Sequence, residues 1–149
     1  MQISLTHDYG LIKEIVTTPR LFELTYGQAC NKEDVDISDK NDYLVLSTDK
    51  EIVGCFSIRE VTNILLEAHI AILPHLWGTE ISQDAVNTGH AWAKDKGYKA
   101  VMTSVPANCV HMLKWLTRMD YKPCGTIKNG IVYNKHLVSL ILFEYTLDE

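Results

Sequence analysis

The segment Glu67-Ala68-His69-Ile70-Ala71-Ile72-Leu73-Pro74-His75-Leu76-Trp77-Gly78-Thr79-Glu80-Ile81-Ser82-Gln83-Asp84-Ala85 changes its period in the middle. Its first part extends a run from Ile64 to Leu73 with strand character, in which residues 67, 69, 71 and 73 share one face while Ile70 and Ile72 point to the other. Pro74 ends that strand. Beyond Gly78 the apolar residues Ile81, Ala85, Val86, Gly89 and Trp92 recur at helical spacing, which predicts a helix from about Thr79 to Lys96 with Gly97 as its left-handed cap. Lys99 to Val105 is again strand-like, so the unit is strand, helix, strand. Such a unit closes by a right-handed crossover and makes a parallel strand pair.

On the N-terminal side, Tyr43–Ser47 and Glu51–Arg59 are strand-like and joined by Thr48-Asp49-Lys50. Val61-Thr62-Asn63 links the second of them to the strand at Ile64, so these three strands form antiparallel hairpins. Ile3 and Leu5 alternate in a short first strand. Thr6 is the expected N-cap of a helix reaching Val16, with Leu11, Ile12, Ile15 and Val16 on one face. Thr18-Pro19 starts a second helix with Leu21, Phe22 and Tyr26 inward. Residues 30–42 are polar and acidic, without a period, and read as a loop.

On the C-terminal side, Pro106-Ala107-Asn108 opens a helix whose Val110, Leu113, Leu116 and Trp115 are expected against the sheet. The chain from Asp120 to Leu147 returns to strand character. A turn at Asn134-Lys135-His136 divides it into two arms, leaving Asn129-Gly130 as a bulge. The whole is a single domain over residues 1–149, of α+β class: a mixed, mostly antiparallel sheet with one parallel crossover.

The chain has 149 residues, 46% hydrophobic and 22% charged, with 4 Pro and 8 Gly. That composition excludes disorder, collagen and repeat arrays. No apolar run approaches the roughly 20 residues of a membrane span, and the N-terminus lacks the basic and apolar regions of an export signal, so a cytoplasmic location is expected. Net charge is −5. Residues 1–84 hold 6 Lys+Arg against 14 Asp+Glu, and residues 85–149 hold 8 against 5. The acidic front suits a cationic partner and argues against nucleic acid, which selects clustered Lys and Arg; the basic back suits a phosphorylated cofactor, and an uneven solvated surface fits the same charges as well. Cys30, Cys55, Cys109 and Cys124 are too few and too scattered for a disulfide framework and read as reduced thiols. The histidines show no ligand spacing, so no metal is expected.

The order strand, two helices, three antiparallel strands, helix, strand, helix, two strands resembles the GNAT superfamily of acyl-CoA-dependent N-acyltransferases. The segment 67–85 resembles that family's fourth strand and pyrophosphate loop, nearest the branch that acetylates N-termini of ribosomal proteins, where a Glu opens the strand and Pro-x-x-Trp-Gly opens the helix. Pro106-Ala107-Asn108 and Asp120-Tyr121-Lys122-Pro123-Cys124-Gly125 resemble the family's Asn, helix and Gly-Phe…Gly segment. The resemblance covers most of residues 43–147; the first 42 match in helix order. It implies a GNAT-like fold, acetyl-CoA as co-substrate, an amine acceptor (a protein N-terminus, a lysine or a small molecule), and no metal, nucleic acid or membrane partner. Three positions depart from the pattern. Glu80 stands where the loop has a second glycine, Trp115 or Leu116 where a Tyr is usual, and Asp120 where Gly precedes the aromatic.

Acetyl transfer to an amine needs a neutral nucleophile, so a proton acceptor must stand near the nitrogen. The resemblance implies Glu67 as that general base and His69 as its helper; from pattern alone, a surface ion pair and a satisfied core histidine fit these residues as well. A pyrophosphate needs converging N–H donors, which Gly78, Thr79, Glu80, Ile81 and Ser82 offer at a helix N-terminus. As a bare motif they make an ordinary helix start. Trp77, Ile70 and Ile72 complete the implied cofactor wall. Asn108 is expected to cap its helix or to meet the pantetheine arm. The alternative in a different class is a GNAT-like binding module without catalysis, acting on a partner protein.

Overall fold

The structure is a computed structural model that describes residues 1–25, 31–37 and 39–147; the expected positions of Tyr26 and Cys30 lie outside the described residues. Strand β1 (Gln2–Thr6) is followed by helices α1 (Tyr9–Val16) and α2 (Pro19–Thr25), and then by β2 (Asp42–Ser47), β3 (Ile52–Thr62) and β4 (Leu65–Ile72). Helix α3 (Glu80–Asp95) leads to β5 (Ala100–Pro106), helix α4 (Val110–Arg118), β6 (Lys122–Tyr133) and β7 (His136–Thr146). All seven strands share one sheet in the order β1-β2-β3-β4-β5-β7-β6. Every neighbouring pair is antiparallel except β4 and β5, the pair that the strand–helix–strand unit dictates.

Two apolar layers cover the sheet. Leu76, Ala85, Val86 and Ala93 from the α3 region and Cys109 and Leu116 from the α4 region pack with Leu44, Leu46, Phe56, Val101 and Phe143 on one face. On the other, Ile12, Ile15, Val16 and Phe22 of α1 and α2 pack on Tyr43, Val45 and Cys55. The central strands are thus buried on both sides, which is why β2 reads as an unbroken apolar run rather than an alternation. The expected helix stripe of α3 omitted Ser82 and Ala93, both buried. Val110, expected inward, is 54% exposed, because α4 begins there and its first turn rides above the sheet.

Local chemistry sets the element ends. Asp8, not Thr6, caps α1: its carboxylate accepts from the Leu11 amide at 3.0 Å, while the Thr6 hydroxyl accepts from the Asp8 amide and closes β1 instead. Strand β3 continues through Thr62, since the Thr62 hydroxyl takes the amides of Ile64 and Leu65 and tightens the turn to Asn63-Ile64. Gly97, at φ 95°, ends α3 with the Tyr98 amide on the Ala93 carbonyl and its own on Lys94. Asn134 and Lys135, both at positive φ, form the β6–β7 turn, and the register slips between Ile127 and Ile131 around Asn129-Gly130 as a bulge would require. No helix among the described residues is long and apolar enough to cross a membrane.

Candidate functional site

The ladder between β4 and β5 has three rungs, Leu65↔Ala100, Leu66↔Val101 and Glu67↔Met102, and then stops. Beyond it β4 stays paired to β3 as far as Ile72, and β5 to β7 as far as Pro106. The two strands therefore part from Ala68 and Thr103 onward while each keeps its outer partner. A cleft of about 520 Å³ occupies the opening and reaches both faces of the sheet. Toward α1 and α2 its walls include Ile12, Leu24, Asp36 and Ile37; toward α3 and α4 they include Gly78, Ser82, Met112 and Trp115. Ile70, Ile72 and Trp77 also line it, and the Trp77 indole is fixed by donating to the Ile72 carbonyl at 2.7 Å.

Glu67 and His69 share the α1/α2 face of β4, as strand alternation requires. Glu67 Oε1 lies 3.6 Å from His69 Nε2, and Glu67 Oε2 is 3.0 Å from an Arg59 guanidinium nitrogen. Arg59 is the residue directly across the β3–β4 ladder from Glu67. The two groups do not stand equally close to the opening. His69 lines the large cleft, whereas Glu67 lines an adjoining pocket of about 210 Å³ with Arg59, Asn41 and Ser57, and His69 forms the wall between them. The His69 side chain is 45% exposed, but that surface opens into these two clefts and protein surrounds the rest. This crowding lowers its pKa below the usual 6.5, with Glu67 pulling the other way and Arg59 adding slightly to the lowering.

At the other end of β4, Gly78 turns the chain at φ 73°, and an added Cβ would meet nothing within 4 Å. The Thr79 amide is already directed to the Leu76 carbonyl and the Ser82 amide to that of Thr79, so two of the five expected donors are engaged. The Thr79 hydroxyl likewise donates to Leu76 and the Ser82 hydroxyl to Thr79. The amides of Gly78, Glu80 and Ile81 keep no acceptor among the described residues, which leaves three donors and a helix dipole beside the cleft. Of the five expected residues Gly78 and Ser82 line the cleft, while Thr79, Glu80 and Ile81 stand outside its wall and Glu80 is exposed. Three amides at a helix start, with open space at Gly78, fit a pyrophosphate.

Asn108 is exposed and does not cap α4: the N-cap is Cys109, without a side-chain cap bond. Trp115 and Leu116 both line the cleft, so neither register of α4 puts a phenol there. Three residues escaped sequence reasoning. Arg59 could have been found from the hairpin register. Arg20, whose guanidinium sits 5.4 Å from the Trp77 ring centroid, comes from a helix distant in sequence. Thr103 Oγ1, 3.4 Å from His69 Nδ1, carried no signal beyond its strand propensity. Among the described residues, no group of three or more His, Cys, Asp or Glu side chains is placed to hold a metal, and Cys55, Cys109 and Cys124 are free thiols.

Comparison with solved structures places this architecture. A spermidine N-acetyltransferase chimera from Vibrio cholerae and hSSAT superposes with a TM-score of 0.77 at 9% identity, over 99% of this chain and 97% of that one. The ribosomal-protein-S18-alanine N-acetyltransferase from Escherichia coli gives 0.72 at 9% identity, over 99% and 94%. A GNAT family acetyltransferase from Elizabethkingia anophelis with acetyl-CoA bound gives 0.68 at 15% identity, over 97% of each. The fold is that of the GNAT acetyltransferases. No curated protein matches the sequence. A family model does, over residues 22–149, and the chain belongs to that family, described as protein of unknown function DUF2824.

Proposed function

We propose that this chain is a single-domain, cytoplasmic, acetyl-CoA-dependent N-acetyltransferase acting on an amine acceptor. The observation that carries the reading is the cleft through the sheet: three free amides lie beside its α3 end, and the Glu67–His69 pair stands on the opposite face of the same strand. The Gly78, Glu80 and Ile81 amides would hold the pyrophosphate, with Trp77, Ile70 and Ile72 as the wall, and acetyl-CoA would supply an acyl carbon activated as a thioester. The acceptor enters from the α1/α2 side, where the acidic front half favours a cation, and loses its proton to the Glu67–His69 pair. Neighbours of this fold that act on spermidine or on a ribosomal-protein alanine make a polyamine, an alanine-tipped peptide and a simple alkylamine the first acceptors to try.

Titration with acetyl-CoA tests the cofactor. At 100 times its dissociation constant, a ligand binding only the folded state adds about 2.7 kcal/mol of stability, a shift of several degrees in melting temperature for a domain of this size. Glu67→Gln keeps shape and hydrogen-bonding reach but removes the carboxylate that takes the proton or backs the His69 ring as it does, so acetyl-CoA affinity should stay within a few-fold while turnover falls by roughly 10²–10⁴. An unchanged rate would remove Glu67 from the reaction. One observation favours a second reading, a binding module without catalysis: Trp115 and Leu116 stand in the cleft wall where a phenol of α4 would protonate a leaving thiolate. Tight acetyl-CoA binding with no acetylation of any of the three amines would establish that module, and absence of both binding and a thermal shift would end the acetyl-CoA reading.

A further inference from the structure

Only two polar residues among those described are buried, Ser82 and Thr103. The Ser82 hydroxyl serves its own helix start; Thr103 does something else. It alternates with Val101 and Val105, which belong to the apolar layer under α3 and α4, so Thr103 belongs to that face. His69 belongs to the opposite face, with Glu67 and Ala71. In an intact ladder two such side chains could not touch. They meet here, Oγ1 to Nδ1 at 3.4 Å, because Thr103 is the first residue of β5 beyond the last rung and His69 the second of β4. The contact runs through the opening itself, and both residues line the cleft.

We propose that Thr103 is a positioning residue that, together with Glu67 on the other side of the ring, fixes the tautomer of His69, so that Nδ1 carries the proton-accepting lone pair at the opening. A neutral imidazole carries one N–H. On its Nε2 side stands a carboxylate held by Arg59; ionised, it only accepts, so the ring proton belongs on Nε2. The lone pair is then on Nδ1, and the Thr103 hydroxyl, which can donate, points its proton there. The opposite tautomer would set the Nε2 lone pair against the carboxylate. Burial keeps the ring neutral at pH 7 against the pull of Glu67. Asp36, Tyr43 and Cys55 line the cleft toward α1 and α2, and Cys109, His111 and Arg118 toward α4; Glu67 and Arg59 are the charges that act on the ring.

The inference rests on the acetyltransferase reading for its chemical meaning. As a neutral amine nitrogen bonds to the acyl carbon, it becomes cationic and gives one proton to Nδ1, directly or by way of the Thr103 hydroxyl, which passes on its own proton as it takes the amine's. The C–S bond breaks with its electron pair on sulfur. Glu67 then faces an imidazolium.

The decisive measurement is made on the free protein: long-range ¹⁵N–¹H correlation of His69 at pH 7 in the wild type, in Thr103→Val and in Thr103→Ser. The wild type should show the proton on Nε2, the Val variant a mixture of tautomers, and the Ser variant the wild-type pattern. With the fastest of the three amines above, Thr103→Val should lower kcat by about tenfold, the worth of one hydrogen bond, with KM within twofold. It should also move the acid limb of the kcat profile to higher pH, since the hydroxyl's bond favours the neutral ring; Thr103→Ser should restore both. A wild-type ring protonated on Nδ1, or a Val variant that keeps tautomer and pH profile unchanged, overturns the proposal, and the wild-type spectrum decides it even if the Val variant fails to fold. If no acetyl-CoA binds, the acetyltransferase reading fails while the tautomer measurement still stands.

Discussion

His90 of α3 sits in an aromatic nest remote from the cleft, and it predicts how the protein responds to acid. Its Nε2 is 2.7 Å from the Tyr121 hydroxyl, its ring stacks on Tyr145 at 4.0 Å between centroids, and Tyr121 and Tyr145 themselves lie 5.2 Å apart. Among the described residues no carboxylate forms an ion pair with it, and burial lowers the His90 pKa from 6.5 to about 4. Because the folded value lies below the unfolded one, the unfolded chain binds the proton first as pH falls. Stability is therefore fully present above about pH 7 and declines from pH 6.5 down to pH 4. At 1.36 kcal/mol per unit, the loss attributable to this ring is about 2 kcal/mol at pH 5 and about 3 kcal/mol below pH 4, a large share of the 5–15 kcal/mol typical of a domain. The assay is urea unfolding at pH 7 and pH 5 for the wild type and for His90→Gln, whose amide can still meet the Tyr121 hydroxyl but does not titrate. Subtracting the variant's pH response from the wild type's cancels every other group. A difference near 2 kcal/mol is expected; equal losses in the two proteins would refute the reasoning.

Three further outcomes follow from backbone and packing. A Cβ added at Gly89 would stand 2.5 Å from the Phe56 ring, so Gly89→Ala should destabilise by about 1–3 kcal/mol in denaturant melts despite its better helix propensity. Asp120 holds the left-handed position after α4 at φ 64°, with the Tyr121 amide on the Leu116 carbonyl and its own on Thr117; Asp120→Gly relieves that conformation, and its melting midpoint should rise by an amount equivalent to about 1 kcal/mol. Gly78→Val forces a β-branched residue into φ 73° with open space around it, so the fold should survive a strain of about 1–3 kcal/mol while calorimetric binding of acetyl-CoA is lost; binding at wild-type strength would take the loop out of the site.

How far the sequence could be read depended on whether a signal was local. The change of period at Pro74 identified the crossover unit because strand character through Leu73 gives way to helical spacing from Ile81 to Trp92 and returns from Lys99. The β6–β7 turn was legible at Asn134-Lys135 because dividing the C-terminal run there leaves arms of similar length, even though Asn129-Gly130 is the stronger local hairpin signal. Caps were less secure. Thr6 and Asp8 are two residues apart and both can cap; only the fact that β1 must end somewhere assigns the amide of Leu11 to Asp8. Asn108 lost its cap role for the same kind of reason, since α4 starts two residues later than its first polar candidate. The pairing of Glu67 with His69 followed from alternation, but Arg59 and Thr103 belong to neighbouring strands, and register is a tertiary fact that one strand's sequence does not contain.

The backbone itself points to a use for this opening, under either reading of the function. Strands β4 and β5 remain strands throughout 68–72 and 103–106, since each keeps its outer partner, yet their inner edges carry no ladder bonds between them there. Unpaired amides and carbonyls inside a sheet are costly unless water or a ligand satisfies them, and closing the ladder for a few more rungs would have been the cheaper fold. Side chains occupy the gap instead: His69 and Thr103 meet across it, and Trp77 is fastened by its indole to the Ile72 carbonyl on the cleft wall. An extended molecule with amides of its own and an anion at one end would match it, and in the acetyltransferase reading that guest is the pantetheine pyrophosphate of acetyl-CoA. In the acetyltransferase reading a departing thiolate takes up a proton; with Trp115 and Leu116 in the wall no phenol of α4 offers it, and we expect it to come from water. A proton drawn from water leaves no protein acid to titrate at that place, so kcat should show no alkaline fall; a fall at high pH would mean that an acid of the cleft wall governs release.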